Sequence, residues 1–136
     1  MTDYTLHPIG WVESTLSDRD AAPRQGDEGA PDASLLLDEA LRPAMRDLEV
    51  GTDVIVLTWL DRADRDTLVV HPRGDEQRPL RGVFSTRSPD RPNPIGLHRV
   101  RILAIEDTTI RVQNLEALDR TPVLDIKPVL APIPRR

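Results

Sequence analysis

Residues 53–60 read DVIVLTWL and residues 97–105 read LHRVRILAI, and these two stretches decide the fold class. The first is β-branched and nearly all apolar, which predicts a buried β-strand. The second alternates, which predicts a strand with one face in the core: Val100, Ile102 and Ala104 on one face, and Arg99, Arg101 and Leu103 on the other. We therefore expect a β-rich protein.

The rest of the chain supplies further short strands between turn-forming residues. They are predicted at 4–13, 33–37, 66–71, 81–86, 109–115 and 122–127. Residues 39–48 form the one predicted helix, with Pro43 near its start and Gly51 beyond its end. Alternation of strands with helices and a Gly-x-Gly-x-x-Gly turn are both absent. We predict one mainly all-β domain over residues 1–136, with about seven or eight short strands in a closed or nearly closed single sheet and one short helix.

Composition excludes several classes of protein. Hydrophobic residues make up 38% and charged residues 30% of the 136, and only four residues are aromatic, so the core must be mostly Leu, Val and Ile. No run approaches the roughly 18 apolar residues of a membrane span, and the first ten residues lack the features of a secretory signal. Without cysteine there is no thiolate metal site, and the three histidines lack metal-ligand spacing. We expect a cytoplasmic protein with no membrane and no metal.

The most unusual stretch is 84–97, FSTRSPDRPNPIGL. Its prolines at 89, 92 and 94 stiffen the loop, and stiffness lowers the entropy cost of holding a ligand. Hydroxyl, amide and guanidinium groups alternate with these prolines, and Gly96 permits a close backbone approach or a positive φ. A rigid structural crossover with solvated arginines explains the same residues, so local chemistry leaves both interpretations open.

Two other segments are weaker candidates. Residues 114–128, NLEALDRTPVLDIKP, place polar groups around an apolar pattern, although a plain turn followed by a strand with an Asp125–Lys127 pair explains them equally well. Residues 23–26, PRQG, lie in the long polar loop 16–32, and loops of that length in compact domains are more often functional than idle.

These segments together resemble the TsaA-like, or TrmO-like, family of tRNA threonylcarbamoyladenosine methyltransferases. Residues 82–97 are similar to the family signature almost throughout, including R-P-N-P-I-G, and residues 118–128, LDRTPVLDIKP, are a second match. Weaker matches are 9–12, 23–25 and 53–60. The resemblance implies a β-barrel that binds S-adenosylmethionine and commonly forms a homodimer.

The resemblance also implies which residues form the site. The cofactor-binding residues would be Arg24, Gln25, Gly26, Asp61, Arg62, Phe84, Thr86, Arg87, Leu97, Gln113, Asn114, Leu115 and Glu116. Arg91, Asn93 and Thr121 would contact the substrate. Arg87 or Arg24 would bind the methionyl carboxylate, Leu97 or Leu115 would flank the adenine, and Asn114 or Glu116 would bind ribose or amine groups. Asp119 would accept a proton from the acceptor or orient it.

The leading hypothesis for function is therefore N6-methylation of threonylcarbamoyladenosine-37 in tRNA. It predicts a positive patch formed by Arg87, Arg91, Arg99 and Arg101, although a net charge of −5 argues against a broadly basic surface. A methyltransferase acting on a small molecule or another acceptor is an alternative, and a non-catalytic sensor of the cofactor is a third hypothesis.

The sequence departs from the family pattern in three places. Asp61 stands where the family often has His, and Arg120 stands where the D-G-T-P turn has Gly. Arg120 adds bulk and charge to that turn. The C-terminal domain that bacterial TrmO proteins typically carry has no counterpart within these 136 residues, and a substrate-binding surface is expected to be missing with it.

Overall fold

The computed structural model describes residues 2–17 and 29–131. Within them the chain forms the following strands: β1 (Gly10–Glu13), β2 (Ala33–Leu37), β3 (Asp53–Trp59), β4 (Val69–Val70), β5 (Arg81–Gly82), β6 (Ile95–Glu106), β7 (Thr109–Val112) and β8 (Pro122–Pro128). Short 3₁₀ helices cover Glu39–Met45, Pro72–Gly74 and Val83–Ser85. The prediction of a mainly β fold is confirmed.

Six of these strands form one antiparallel sheet. Their order is β1–β2–β7–β6–β3–β8, and β1 also pairs with β8, so the order returns to its first strand. Strands β4 and β5 pair only with each other and form a separate two-stranded ribbon. The predicted single sheet of seven or eight strands is therefore wrong in that respect, because the two shortest strands leave the main sheet.

The core lies on the inner face of the six-stranded sheet. It is aliphatic, as expected, and none of the four aromatic residues is buried. Its members are Val12, Ala33, Leu35, Val54, Val56, Val100, Ile102, Ile110, Val112, Leu115, Ala117 and Val123. Because strand side chains alternate between faces, this leaves the odd-numbered residues of β3, and those of β6 up to Leu103, on the outside.

Several predicted elements change length or type. The segment at 39–48 is a 3₁₀ helix over Glu39–Met45, because Pro43 lies inside it and supplies no N–H for an α-helical ladder. Strand 4–13 shrinks to Gly10–Glu13. Residues 53–60 are buried on one face only, since the other face is partly open.

Strand β6 contains an irregularity that affects one predicted face. Val100 and Ile102 are buried as expected, but Ala104 is exposed. The pairing of β6 with β7 shifts register between Ile102 and Ala104, and a bulge of this kind turns the following side chains to the opposite face. Ile105 therefore packs against the core instead of Ala104.

Candidate functional site

A cleft of about 1890 Å³ lies beside β3 and β6 and is lined by residues from both faces of β6. Leu97 and Ile95 of β6 and Ile55 of β3 give this side of the cleft apolar side chains, and both β6 residues are more than two-fifths exposed. The opposite walls come from residues 60–63, the segment 70–91 and the loop 113–121. The cleft therefore joins parts of the chain that are far apart in sequence.

One edge of the cleft is formed by a buried chain of hydrogen bonds. The Thr58 hydroxyl lies 2.7 Å from Nε2 of His98, and Nδ1 of His98 lies 2.5 Å from Oε1 of Glu116. His98 and Glu116 both line the cleft, and the Glu116 side chain is 17% exposed. Gly96 makes room for this arrangement, because a Cβ there would lie 2.4 Å from the Thr58 hydroxyl. The close approach predicted for Gly96 is confirmed.

The proline-rich loop is held in shape by Arg91. Its guanidinium donates to the carbonyl oxygens of Ser88, Val83 and Thr86 at 2.6–2.8 Å. Arg91 is half-buried and lines the cleft, but its hydrogen-bonding groups are largely used on the loop itself. Arg87 also lines the cleft, and it is exposed without a hydrogen bond or ion pair to any residue that the structure describes.

A second charged cluster lies on the outer face of β3 and β6. Asp53 of β3 accepts hydrogen bonds from Arg101 and Arg99 of β6 at 3.1–3.3 Å. Hydrogen bonds from Arg101, and then from Arg99, lower the pKa of the Asp53 carboxyl below its usual value. Asp53 therefore partly neutralises Arg99 and Arg101. Of the four residues in the predicted positive patch, only Arg87 has no hydrogen bond or ion pair to another residue among 2–17 and 29–131.

The structure brings most of the predicted site residues to the cleft. Its walls include Asp61, Arg62, Thr86, Arg87, Arg91, Leu97, Gln113, Asn114, Glu116 and Thr121. Arg24, Gln25 and Gly26 lie outside the described residues. Which of the lining residues contacts a ligand remains a prediction.

Four predicted residues lie elsewhere. Leu115 is fully buried in the core, so the role predicted for its side chain beside the adenine is withdrawn, and Phe84 is 83% exposed outside the cleft walls. The Asn93 amide oxygen accepts from Arg65 at 3.0 Å. Asp119 accepts from the Ser14 backbone N–H at 3.0 Å and does not line the cleft, so it ties two loops together in this arrangement.

Sequence reasoning did not single out His98 or Thr58. The signal was present, because alternation along β6 places His98 on the same inner face as Val100 and Ile102, and alternation along β3 does the same for Thr58. Arg65 was also missed. It packs over the Trp59 ring, 5.1 Å from its centre, and donates to the Pro92 carbonyl.

The described part of the chain offers neither a metal site nor a membrane-spanning helix. No group of three or more His, Cys, Asp or Glu side chains there is placed to hold a metal ion. No helix within residues 2–17 and 29–131 has the length and apolar character needed to cross a membrane.

The fold and the site together define a class of mainly β proteins in which a six-stranded antiparallel sheet carries a large open cleft beside two of its strands. Residues 11–133 match the family model of the tRNA-methyltransferase O N-terminal domain, and the chain belongs to that family. It is 43% identical over 122 residues to an S-adenosyl-L-methionine-binding protein of Archaeoglobus fulgidus, covering 90% of this chain and 86% of that protein. It is 42% identical over 126 residues to a probable S-adenosyl-L-methionine-binding protein of Methanothermobacter thermautotrophicus, covering 93% and 90% of the two chains.

Solved structures agree with this assignment. The fold is similar to the crystal structure of TrmO from Pseudomonas aeruginosa, with a TM-score of 0.76 and 31% identity. That match covers 95% of this chain and 57% of the solved chain. A second crystal structure of TrmO gives a TM-score of 0.78 and is covered to 58%. This chain thus spans a little over half the length of these solved structures.

Proposed function

We propose that this protein binds S-adenosylmethionine in the cleft and is an S-adenosylmethionine-dependent methyltransferase. The observation that carries the proposal is the cleft itself, which is lined by residues from four of the separated segments that the family resemblance names. Family membership supports it, and so do the relatives that are named as S-adenosyl-L-methionine-binding proteins.

The chemistry of the cleft walls fits this cofactor. Arg87 is an exposed guanidinium without a partner among the described residues, and it would bind the methionyl carboxylate through charge-assisted hydrogen bonds. Leu97 offers an apolar surface for the adenine, and Glu116 or Asn114 offers acceptors for ribose or amine groups. When bound, the cofactor would supply an electrophilic methyl group, and the task of the chain is to hold the acceptor in line with it.

The acceptor that we propose is N6 of threonylcarbamoyladenosine-37 in tRNA, and with it we propose a cytoplasmic location. A cleft of about 1890 Å³ exceeds the roughly 300–1,000 Å³ of an ordinary small-molecule pocket, so it has room for an acceptor group beside the cofactor. A small-molecule acceptor is the second candidate, and the pairing of Arg99 and Arg101 with Asp53 favours it, because that pairing weakens the expected positive patch.

Two further parts of the proposal concern assembly and proton transfer. We infer that the closed order of pairing makes the six-stranded sheet a barrel and that two copies form a homodimer; a monomer in sedimentation at micromolar concentration would contradict the dimer. Asp119 lies outside the cleft walls, between Leu118 and Thr121, which line them, and we propose that it orients the acceptor or takes its proton from that position. Wild-type methyl transfer by the Asp119→Asn variant would remove that role.

The first experiment is calorimetric titration with S-adenosylmethionine and, in parallel, S-adenosylhomocysteine. We expect micromolar binding for the wild type, at least tenfold weaker binding for Arg87→Ala, and unchanged binding for Arg46→Ala, an exposed arginine outside the cleft walls. A methyl-transfer assay on tRNA from a methylation-deficient strain follows. No binding up to millimolar cofactor would refute the proposed function, whereas binding without transfer to tRNA would leave the small-molecule acceptor or the sensor.

A further inference from the structure

A continuous hydrogen-bonded path runs from the interior of the sheet to the cleft. It begins at Thr58, which is 0% exposed, passes through His98, which is 4% exposed, and ends at Glu116. Glu116 is the only one of the three whose side chain has appreciable contact with solvent, at 17%. The path therefore has a buried end and an open end.

The register of β3 and β6 explains why the path forms. Thr58 lies directly opposite Gly96, and His98 lies two residues further along the same face of β6. With no side chain on Gly96, the His98 ring occupies that space, and a Cβ there would lie 2.7 Å from its Nε2. The ring thus reaches the Thr58 hydroxyl diagonally across the pair of strands.

The hydrogen bonds form a consistent set of donors and acceptors. A carboxylate oxygen accepts hydrogen bonds, so Nδ1 of His98 donates to Oε1 of Glu116. In the neutral ring Nε2 then accepts, and the Thr58 hydroxyl is its donor. Every polar group of the path has a partner, and no buried polar side-chain atom in the described residues lacks one.

The order hydroxyl, imidazole, carboxylate is that of a nucleophilic triad, but burial excludes this use. A substrate cannot reach Thr58, which is fully enclosed. His98 also lines the cleft but is 4% exposed, so the carboxylate of Glu116 is the most open group of the path and the hydroxyl lies behind both. One oxygen of Glu116, Oε1, is bound to His98, and Oε2 has no hydrogen bond to any residue that the structure describes.

We propose that Thr58 and His98 are positioning residues that hold the Glu116 carboxylate so that Oε2 accepts hydrogen bonds from a hydroxyl or ammonium group of the bound ligand. The inference rests on the proposed function, because the hydroxyls and the amino group of S-adenosylmethionine are donors of this class. A carboxylate fixed in advance loses less side-chain entropy when the ligand binds. His98 and Thr58 therefore contribute to affinity without touching the ligand.

The test combines four variants with calorimetric titration of S-adenosylmethionine. Thr58→Val keeps the shape of the buried side chain and removes its hydroxyl, and we expect about 3- to 10-fold weaker binding. Thr58→Ser restores the hydroxyl and should bind within about 2-fold of the wild type. Glu116→Ala should lose about 10-fold or more. Adding Thr58→Val to Glu116→Ala should cause no further loss, because no carboxylate remains to be positioned.

A spectroscopic measurement covers the case in which Thr58→Val does not fold. The chain has only three histidines, so ¹⁵N NMR can follow the His98 ring nitrogens in the wild type and in Glu116→Gln. We expect the Nδ1 resonance of His98 to shift on titration with S-adenosylmethionine and to lose that response in Glu116→Gln. A purely structural role for the path would leave Nδ1 insensitive to the ligand.

The outcomes separate this inference from the proposed function. If the wild type does not bind S-adenosylmethionine, the proposed function fails and the inference fails with it. If the wild type binds, and Thr58→Val either binds equally well or weakens Glu116→Ala further, the positioning role alone is overturned. An Nδ1 signal that ignores the ligand would overturn it as well.

Discussion

Replacing Gly96 by alanine gives the sharpest test of how the inner face of β6 is built. An added Cβ would lie 2.4 Å from the Thr58 hydroxyl, 2.7 Å from Nε2 of His98 and 3.2 Å from its Cε1. Real Cβ atoms essentially never lie within 3.0 Å of such atoms, so either the Thr58 hydroxyl and the His98 ring or the backbone of β6 must move. Both neighbours are buried, and Thr58 has no open space into which it can retreat.

The magnitude follows from what must move. Overpacking a core by one methyl group costs typically about 1–3 kcal/mol. The new methyl group also displaces the His98 ring, so the Thr58–His98 hydrogen bond breaks as well, which costs a further ~1–3 kcal/mol for a buried group left unpaired. Alanine also returns about 0.4–1 kcal/mol by restricting the unfolded chain. We therefore expect Gly96→Ala to lower the free energy of unfolding by about 2–4 kcal/mol, which corresponds to a fall in Tm on the order of 10 °C.

Urea denaturation followed by circular dichroism measures this change, with Gly82→Ala as the matched control. Gly82 has φ −61°, which any residue adopts, and nothing lies within 4 Å of its missing Cβ. Its replacement should be neutral or slightly stabilising. A double variant with Thr58→Ala should recover part of the loss, because it removes the atom nearest to the new Cβ.

Two results would refute the reasoning. One is a Gly96→Ala protein within 0.5 kcal/mol of the wild type, a margin typical of a neutral substitution. The other is strict additivity with Thr58→Ala, since it would mean that the two side chains do not compete for the same space.

Three further predictions concern charged residues. Arg120 has φ 68° and a 90% exposed side chain. Because glycine adopts a positive φ without steric cost, Arg120→Gly should raise the free energy of unfolding in urea by about 0.5–1 kcal/mol. Arg46→Gly, at φ −55°, should lower it by a similar amount. A gain in both would contradict the argument from backbone strain. The pKa of Asp53 is lowered in the folded protein, so its contribution to stability is present above its usual value of 3.8 and is lost as the pH falls through the lower folded value. Asp53→Asn should therefore show a flatter fall of Tm below about pH 4. An unchanged pH profile would argue against the pairing of Asp53 with Arg99 and Arg101. Arg91→Lys should destabilise by about 1–3 kcal/mol, because the three donors of an ammonium lie on one nitrogen and cannot reach carbonyl groups that are spaced for two separate guanidinium nitrogens. Arg87→Lys should leave Tm unchanged, and equal effects in a thermal melt would exclude the bracing role of Arg91.

A strand was predicted well where burial of one face in the core alone explains the alternation of apolar and polar residues. In β6, alternation of apolar and polar residues reports one buried face, and the boundaries differ from the prediction by only a few residues. β3 was predicted as a strand but not as one with an open face. Its outer residues Ile55, Leu57 and Trp59 are apolar and only partly buried, and Ile55 lines the cleft. A sequence alone does not separate such a face from a core.

The parts that were missed depend on pairing between distant segments. The main sheet excludes 69–70 and 81–82 because these residues pair with each other, and no local pattern records that choice. The site was predicted from the family resemblance, which identifies segments rather than contacts. Leu115 and Phe84 show the limit of this approach, since one points into the core and the other into solvent although both lie in the predicted segments.

Strand β6 links the core to the candidate site, because neighbouring residues on its two faces contribute to one or the other. Leu97 and Arg99 point outward to the cleft and its rim, and His98 between them points inward to the polar end of the core. A shift of the His98 ring therefore changes the packing inside and, through Glu116, the acceptor presented outside. Stability and ligand affinity should thus fall together in variants of Gly96. In variants of Arg87, which has no partner among the described residues, affinity should fall alone. Coupled losses at Gly96 and an isolated loss at Arg87 would show which residues of the site depend on core packing and which do not.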